Sequence, residues 1–219
     1  MRTLKALAAL LTYPEPALLE ALPDIRAIVA AEKLLGPDDR TRLTALIDEL
    51  AAADPLDAQE RYVELFDRGR STSLHLFEHV HGEARDRGQA MVDLNALYAR
   101  HGLTIAANEL PDYLPAVLEY LSMRPLEEVR EMLGDCAHVL RAIGQALAGH
   151  GSRYSAVLGA LLTIAKEQAF DFHPQPRESR TADVSGLDEE WVDQPVIFGP
   201  GCTDTKPKAQ VVRFMNKVA

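Results

Sequence analysis

The residue types best suited to chemistry lie in one short segment, where residues 75–79 read HLFEH. This order is the inverted zinc-peptidase motif, in which two histidines bind the metal and the glutamate acts as general base. On a helix, His75 and His79 would lie on one face, as two zinc ligands should. The third ligand would have to be a downstream carboxylate such as Glu83, which follows His79 too closely to lie on a separate element. Without that structural context, the pattern indicates a chance match.

Other signatures of catalysis are missing from the sequence. There is no G-x-x-x-x-G-K-[ST] phosphate loop and no G-x-S-x-G nucleophile elbow. The run Gly199-Pro200-Gly201-Cys202 precedes no helical pattern, so it predicts a turn. These absences leave no basis for a phosphate-binding loop or a hydrolase site, and we expect neither an enzymatic activity nor a stoichiometric metal.

A cluster of arginines surrounds the same histidine-rich segment: Arg68, Arg70, Arg85 and Arg87. These side chains could bind an anionic ligand. Acids are interleaved with them, namely Asp67, Glu83 and Asp86. Interleaved charges are more typical of ion pairs on a solvated surface, and we favour that interpretation.

Composition is that of an ordinary globular protein of 219 residues, with 47% hydrophobic and 26% charged residues. The formal net charge of -10 makes nucleic acid a poor partner and favours a basic one, such as a cationic peptide. The two cysteines, Cys136 and Cys202, form no C-x-x-C pair, which fits a reducing cytoplasm. The amino-terminal apolar run lacks a convincing cleavage site, and no window is long enough for a membrane span.

Helical periodicity extends to about Gln168, and no period-two strand is evident. We therefore predict an all-α fold, a single multi-helix bundle over residues 1–168. The apolar stripe from Val129 to Leu147 predicts one long helix beginning at Pro125, with Cys136 as a small core residue. Residues 169–219 contain five prolines and no long apolar stripe, which predicts an irregular, flexible tail.

The densest segment is residues 62–88, YVELFDRGRSTSLHLFEHVHGEARDRG. It begins on a helix with Tyr62 and Phe66, breaks near Gly69, and is expected to resume as a short helix that presents Leu74, Phe77 and Val80. A polar break between two aromatic-bearing helices is typical of a binding edge.

This segment resembles the hallmark sequence of the nitrate reductase delta subunit family. The family comprises molybdenum cofactor assembly chaperones, within the wider TorD- and DmsD-like redox-enzyme maturation chaperones. The resemblance extends to residues 109–122 (ELPDYLPAVLEYLS), to the amino-terminal LLTYPEP, and to residues 191–199 (WVDQPVIFG). At Asp112 and Tyr113, the Asp-His pair of the wider group is replaced by Asp-Tyr.

The resemblance implies an all-helical, TorD-like protein of the cytoplasm without a cofactor. Its partner would be the apo catalytic (alpha) subunit of respiratory nitrate reductase, bound chiefly at its amino-terminal peptide. It would keep that subunit competent for cofactor insertion and for later assembly with the membrane-bound complex, without becoming part of the final enzyme. Proteins that deliver the cofactor are a second class of partner left open. Neither nucleic acid binding nor membrane insertion is implied.

A helical peptide needs a groove with apolar pockets and an acidic rim. The residues expected to bind the partner are Tyr62, Phe66, Arg70, Phe77, Asp112, Tyr113, Leu114 and Glu119, with Tyr120 as a further pocket residue. In this set Asp112 and Glu119 would form the rim. Aromatic residues spaced along a helix face are more often core, and Asp112 beside Pro111 could instead be a helix cap.

One further alternative is an accessory subunit that stays in the finished oxidoreductase. Against it, the sequence has no long apolar stripe beyond those that the bundle itself consumes. Copurification with the mature enzyme, rather than with the apo form alone, would distinguish the two roles.

Overall fold

The computed structural model describes residues 1–31, 33–80, 84–105 and 109–172, apart from the side chains of residues 84–86. Within these ranges the chain forms α-helices and no β-strand, which confirms the predicted all-α fold. The helices are α1 (Arg2–Leu10), α2 (Pro16–Ala31), α3 (Pro37–Ala52), α4 (Pro55–Tyr62), α5 (Ala84–Arg100), α6 (Leu114–Ser122), α7 (Leu126–Asp135), α8 (Ala137–Gly149) and α9 (Ser155–Ala165).

Proline and acidic residues determine where several helices begin. Pro16, Pro37 and Pro55 are the first residues of α2, α3 and α4, where the missing N–H costs nothing and the fixed φ suits a helix. Asp54 caps α4 by accepting a hydrogen bond from the backbone N–H of Leu56 at 2.9 Å. These local signals place the start of each helix independently of the tertiary structure.

The core is organised around α9, which is apolar on all sides. Every residue from Ser155 to Leu162 is buried, and so is Ile164. A helix without a polar face must be covered all round, and α9 packs against α3, α7 and α8. The amino-terminal helix α1 packs against α2 and α6.

The prediction of one helix from Pro125 to Leu147 is wrong, because the structure divides this stretch at Cys136 into α7 and α8. The Cys136 backbone has φ -98° and ψ 11°, so the helix cannot continue through it. Its thiol donates a hydrogen bond to the carbonyl of Met132 at 2.9 Å. As predicted, Cys136 packs against the core, and burial raises its pKa to about 11, which keeps the thiol neutral.

After α9 the chain folds back over α8 and α9 through two phenylalanines. A Cβ atom at Gly144 would lie 2.2 Å from Phe170, and one at Gly159 would lie 2.3 Å from Phe172. The two aromatic rings therefore occupy space that only glycine leaves free. The guanidinium of Arg42 stacks over the Phe172 ring at 4.1 Å from its centroid.

The predicted tail, residues 169–219, lies outside the described residues from position 173 onward, and the boundary at residue 168 stays a prediction. The segment at residues 191–199, the turn at residues 199–202 and Glu83 also fall outside the described residues. None of the helices in the described ranges is long and apolar enough to cross a membrane.

Candidate functional site

Two of the motif-bearing segments meet as a short antiparallel pair. The backbone N–H of Leu114 donates to the carbonyl of Leu74 at 2.8 Å, and that of Leu76 donates to the carbonyl of Asp112 at 3.1 Å. His75 lies opposite Tyr113 in this pair, with their ring centroids 5.3 Å apart. The structure thus brings the histidine-rich segment and the DYLP segment into one site.

This pairing overturns the prediction of a second short helix over Leu74, Phe77 and Val80. Ser73 and His75 have non-helical backbones, with ψ of 137° and 108°, and a single 3-10 turn, Leu76–Glu78, follows them. The helix does not form because the backbone of this segment is hydrogen-bonded to residues 112–114 instead. Leu74 is buried and Val80 is exposed, so the segment contributes to the core at one end and to the surface at the other.

The two histidines of the H-x-x-E-H pattern consequently have different roles. A ring nitrogen of His79, Nε2, forms a hydrogen bond with the carbonyl of Ser73 at 2.8 Å. His75 directs its Nδ1 atom toward Asp112, with 3.4 Å between Nδ1 and the carboxylate oxygen Oδ1. Because the segment is not helical, the spacing of the pattern no longer places both rings on one face.

Asp112 is fully buried, so the prediction that it forms part of an acidic rim is wrong. It is not the cap of α6 either, because Tyr113 occupies the N-cap position and no side-chain cap is formed there. Its Oδ2 atom accepts a hydrogen bond from the backbone N–H of Phe77 at 3.0 Å, while Oδ1 faces His75. The hydrogen bond to Phe77 joins the two segments, while Oδ1 is buried and accepts no hydrogen bond from the described residues.

Tyr62 links this pair to the amino-terminal LLTYPEP segment. Its hydroxyl donates to the carbonyl of Leu11 at 2.8 Å and lies 3.2 Å from the Tyr113 hydroxyl. The Tyr13 ring packs edge-on against the Tyr62 ring, with 5.6 Å between centroids. Burial raises the pKa of the Tyr62 hydroxyl above its usual range, with Tyr113 adding to the effect. Tyr62 therefore stays neutral and orients Tyr113.

Several predicted pocket residues belong to the core. Phe66 packs against Tyr62 and against Tyr154, with centroid distances of 4.7 and 5.1 Å. The buried members of the predicted set are Tyr62, Phe66, Asp112, Leu114 and Tyr120. Their helical spacing is explained by packing, as is usual for aromatic residues on a helix face.

The remaining predicted residues are accessible. Phe77 and Tyr113 are half-buried, whereas Arg70 and Glu119 are exposed. Two further apolar side chains that the sequence analysis did not select are exposed, Tyr13 at 40% and Leu110 at 47%; the Tyr13 ring packs on Tyr62, and the Leu110 carbonyl accepts from the Tyr113 N–H. Both stand in quoted motif segments, so their position there was the available signal. We call Tyr13, Phe77, Leu110 and Tyr113 the tyrosine edge.

Two exposed carboxylates, Glu109 and Asp67, act electrostatically on Tyr113. The pKa of the Tyr113 hydroxyl is raised chiefly by burial; the Tyr62 hydrogen bond opposes this, and Glu109 and Asp67 raise the pKa further. These two acids are exposed, as a rim requires, whereas Asp112 is buried.

The turn that follows α4 is tightly held. Residues Val63–Asp67 form a π-helical turn, closed by the Arg68 N–H donating to the Val63 carbonyl at 3.2 Å. Such turns are frequent at functional sites. Only glycine fits at position 69, since a Cβ there would lie 2.7 Å from the Leu65 carbonyl oxygen. The Thr72 hydroxyl donates to the same carbonyl of Leu65 and lies 3.0 Å from that of Gly69.

An all-helical bundle with an aromatic edge under a negative potential has the character of a protein that binds other polypeptides. Comparison with known proteins makes the class specific: residues 32–158 match the sequence profile described as nitrate reductase delta subunit. The chain belongs to this family. Its members are assembly chaperones and not catalytic enzymes, which confirms the prediction that this chain is not an enzyme.

Similarity to individual relatives extends over the whole chain. The chain is 43% identical to the nitrate reductase molybdenum cofactor assembly chaperone NarJ of Escherichia coli (strain K12), over 100% of the chain and 95% of the relative. It is 39% identical to the probable chaperone NarW of the same strain, with the same coverage. A probable NarJ of Bacillus subtilis (strain 168) is 30% identical over 73% of the chain and 86% of the relative.

Proposed function

We propose that this chain is a cytoplasmic assembly chaperone for the molybdenum cofactor of nitrate reductase. It binds the apo catalytic subunit at its amino-terminal segment, keeps that subunit competent for cofactor insertion, and leaves before the enzyme is complete. The family membership and the end-to-end similarity to NarJ support the chaperone role. Proteins that deliver the cofactor are a second class of partner within the same proposal.

The client segment binds as an amphipathic helix on the tyrosine edge. Its apolar face packs on Tyr13, Leu110 and Phe77, which are accessible. Its basic residues face Glu109 and Asp67, the carboxylates whose potential acts at Tyr113. Laying the apolar face of a helix on an apolar surface with a charged rim is a common mode of peptide recognition. The observation that carries the proposal is the position of Tyr113, half-buried beside these carboxylates.

The buried members of the predicted set support the edge without touching the client. Tyr62 orients Tyr113 through the contact between their hydroxyls, and Asp112 fixes the backbone at Phe77. Glu119 is exposed on α6 and adds to the negative charge of the chain. Preorganised side chains lose less entropy on binding, so these positioning residues contribute to affinity indirectly.

Affinity comes mainly from the apolar contacts. An exposed ion pair is typically worth about 0–1 kcal/mol and is screened by salt. Buried aromatic anchors, by contrast, are common hot spots of binding. The acids, within a net charge of -10, set the orientation of a basic segment and its rate of encounter.

Calorimetry with a synthetic peptide of the client's amino terminus tests the binding site. We expect Tyr113→Ala to weaken binding by about tenfold or more, as truncation of an aromatic hot spot does. Glu109→Gln should weaken binding slightly and reduce its salt dependence. Glu131→Gln on α7, which removes an exposed acid outside the edge, is the matched control. If folded Tyr113→Ala and Glu109→Gln proteins bind the peptide with wild-type affinity, the tyrosine edge is excluded as the client-binding site.

A pull-down from cells that respire nitrate tests the wider role. The chain should capture the apo catalytic subunit, and removal of the client's amino-terminal segment should reduce the capture. Stoichiometric recovery with the mature, cofactor-loaded enzyme would instead show an accessory subunit. The two experiments are independent, since a chaperone could use another surface for the same client.

A further inference from the structure

A polar cleft of about 510 Å³ lies beside the tyrosine edge. The charged and titratable side chains that line it are Asp67, Arg68, Arg70, His75, Glu78 and Arg87. We call it the arginine cleft. Three guanidinium groups face two carboxylates there, so its formal charge is positive within a protein whose net charge is -10.

Two of the three arginines that line the cleft form no ion pair with a described residue. Among the described residues, neither Arg68 nor Arg70 has a carboxylate within ion-pair distance, although Asp67 is adjacent in sequence. Arg87 approaches Glu78 only at 3.8 Å. The interpretation of this cluster as paired surface charges is therefore not supported for Arg68 and Arg70. Glu83 and the side chains of Arg85 and Asp86 lie outside the described residues.

His75 adds an oriented donor to the cleft. Its Nδ1 atom is buried 3.4 Å from the Asp112 carboxylate without a hydrogen bond to it, whereas 32% of the side chain stays exposed. The opposite nitrogen, Nε2, is the one left for a ligand. Asp112 itself is fully buried and does not line the cleft.

The backbone beneath the arginines is rigid. Arg68 follows the π-helical turn and donates its N–H to Val63, and Gly69 is packed against the Leu65 carbonyl. Thr72 ties the next turn to Gly69. Arg68 and Arg70 therefore project from a fixed loop, which lowers the entropy lost when they bind a ligand.

We propose that the arginine cleft binds the phosphate group of a small molecule, a phosphate monoester or a diphosphate. Planar guanidinium groups bind phosphate oxygens in pairs, and Arg68, Arg70 and Arg87 supply three of them. His75 can donate from Nε2 to a further oxygen when both of its ring nitrogens are protonated. The volume accommodates a diphosphate with space for an attached group. A polyanion such as nucleic acid is disfavoured by the charge of the whole chain.

Calorimetry of the full chain at low ionic strength, with inorganic pyrophosphate as the probe, tests this site. We expect saturable binding that Arg70→Ala and Arg68→Ala each weaken by about tenfold, as loss of a charge-assisted contact does. Arg70→Lys should recover only part of the loss, because it restores charge without the planar fork. Arg100→Ala, at an exposed position on the same helix as Arg87, is the matched control and should bind normally.

Parallel titrations with inorganic phosphate and ribose 5-phosphate identify which phosphate chemistry the cleft prefers, and tighter binding of either supports the site. Circular dichroism confirms that each variant is folded. Absence of pyrophosphate binding, equal weakening by Arg100→Ala, or tighter binding of an oligoglutamate peptide would each overturn the proposal. Client-peptide binding is measured separately on the Arg68→Ala protein. The result for the arginine cleft therefore does not decide whether the tyrosine edge binds the client.

Discussion

The region around α9 and the region around Asp112 are held together by different forces. Side chains of α9 such as Leu158 and Leu161 are fully buried and make only apolar contacts with α3, α7 and α8. The site, in contrast, is joined by single polar links, including Asp112 to Phe77 and the Tyr98 hydroxyl to the Pro111 carbonyl at 2.8 Å. Apolar packing is strong but tolerant of direction, whereas hydrogen bonds place individual groups.

The comparison predicts the largest loss of stability in the α9 region. Leu158→Ala should lower the free energy of unfolding by about 2–5 kcal/mol, because it leaves a cavity in a closely packed core. Urea denaturation measures this change, and the folded fraction should still bind client peptide. A loss below about 1 kcal/mol would mean that α9 is less tightly packed than its burial indicates.

An intermediate effect is expected at Asp112. Asp112→Ala leaves the buried Phe77 N–H without its acceptor, which should cost roughly 1–3 kcal/mol. Asp112→Asn retains an acceptor oxygen and should cost less. Affinity for the client peptide should fall by more than the loss of stability explains, because the backbone at Phe77 is no longer held by Asp112. Normal stability of Asp112→Ala would contradict the role of this carboxylate as a buried link.

A smaller effect is expected from removal of one hydroxyl. Tyr62→Phe keeps the aromatic packing with Phe66 but deletes the bond to the Leu11 carbonyl, for a loss of about 1 kcal/mol. The Tyr113 hydroxyl loses its contact with the Tyr62 hydroxyl at the same time, so affinity for the client peptide should also decline. Thermal unfolding and calorimetry measured on the same sample would separate the two effects.

The smallest effect is expected on the surface. Arg124 donates to Glu128 at 2.8 and 3.1 Å, and this bond is the main reason that the pKa of Glu128 is lowered. Any stability from the pair is present at neutral pH and is lost as pH falls through the lowered pKa. Because Glu128 is exposed and water screens the charge of the pair, Arg124→Gln should leave the unfolding midpoint nearly unchanged. A clear decrease would show that surface charge matters as much as the polar links.

The sequence predicts the α9 region well and the site poorly, for a physical reason. The α9 segment from Ser155 to Ala165 contains no charged residue, so its burial on all sides is readable locally. The backbone hydrogen bond between Leu74 and Leu114 joins residues that are distant in sequence, which a local pattern cannot show. The break at Cys136 is likewise invisible, since apolar residues continue on both sides of it. The sequence suggests a rim acid or a helix cap at Asp112 because its buried neighbours, Phe77 and His75, are distant from it along the chain.

The Tyr62 hydroxyl also has a consequence for how the chain folds. Its contacts with Leu11 and with Tyr113 each span 51 positions along the chain. Closing loops of this length is entropically costly, and such non-local contacts form slowly. A nascent chain in which residue 113 has not yet been synthesised can form α1 to α4, but it lacks the contact between Tyr62 and Tyr113 and has no tyrosine edge.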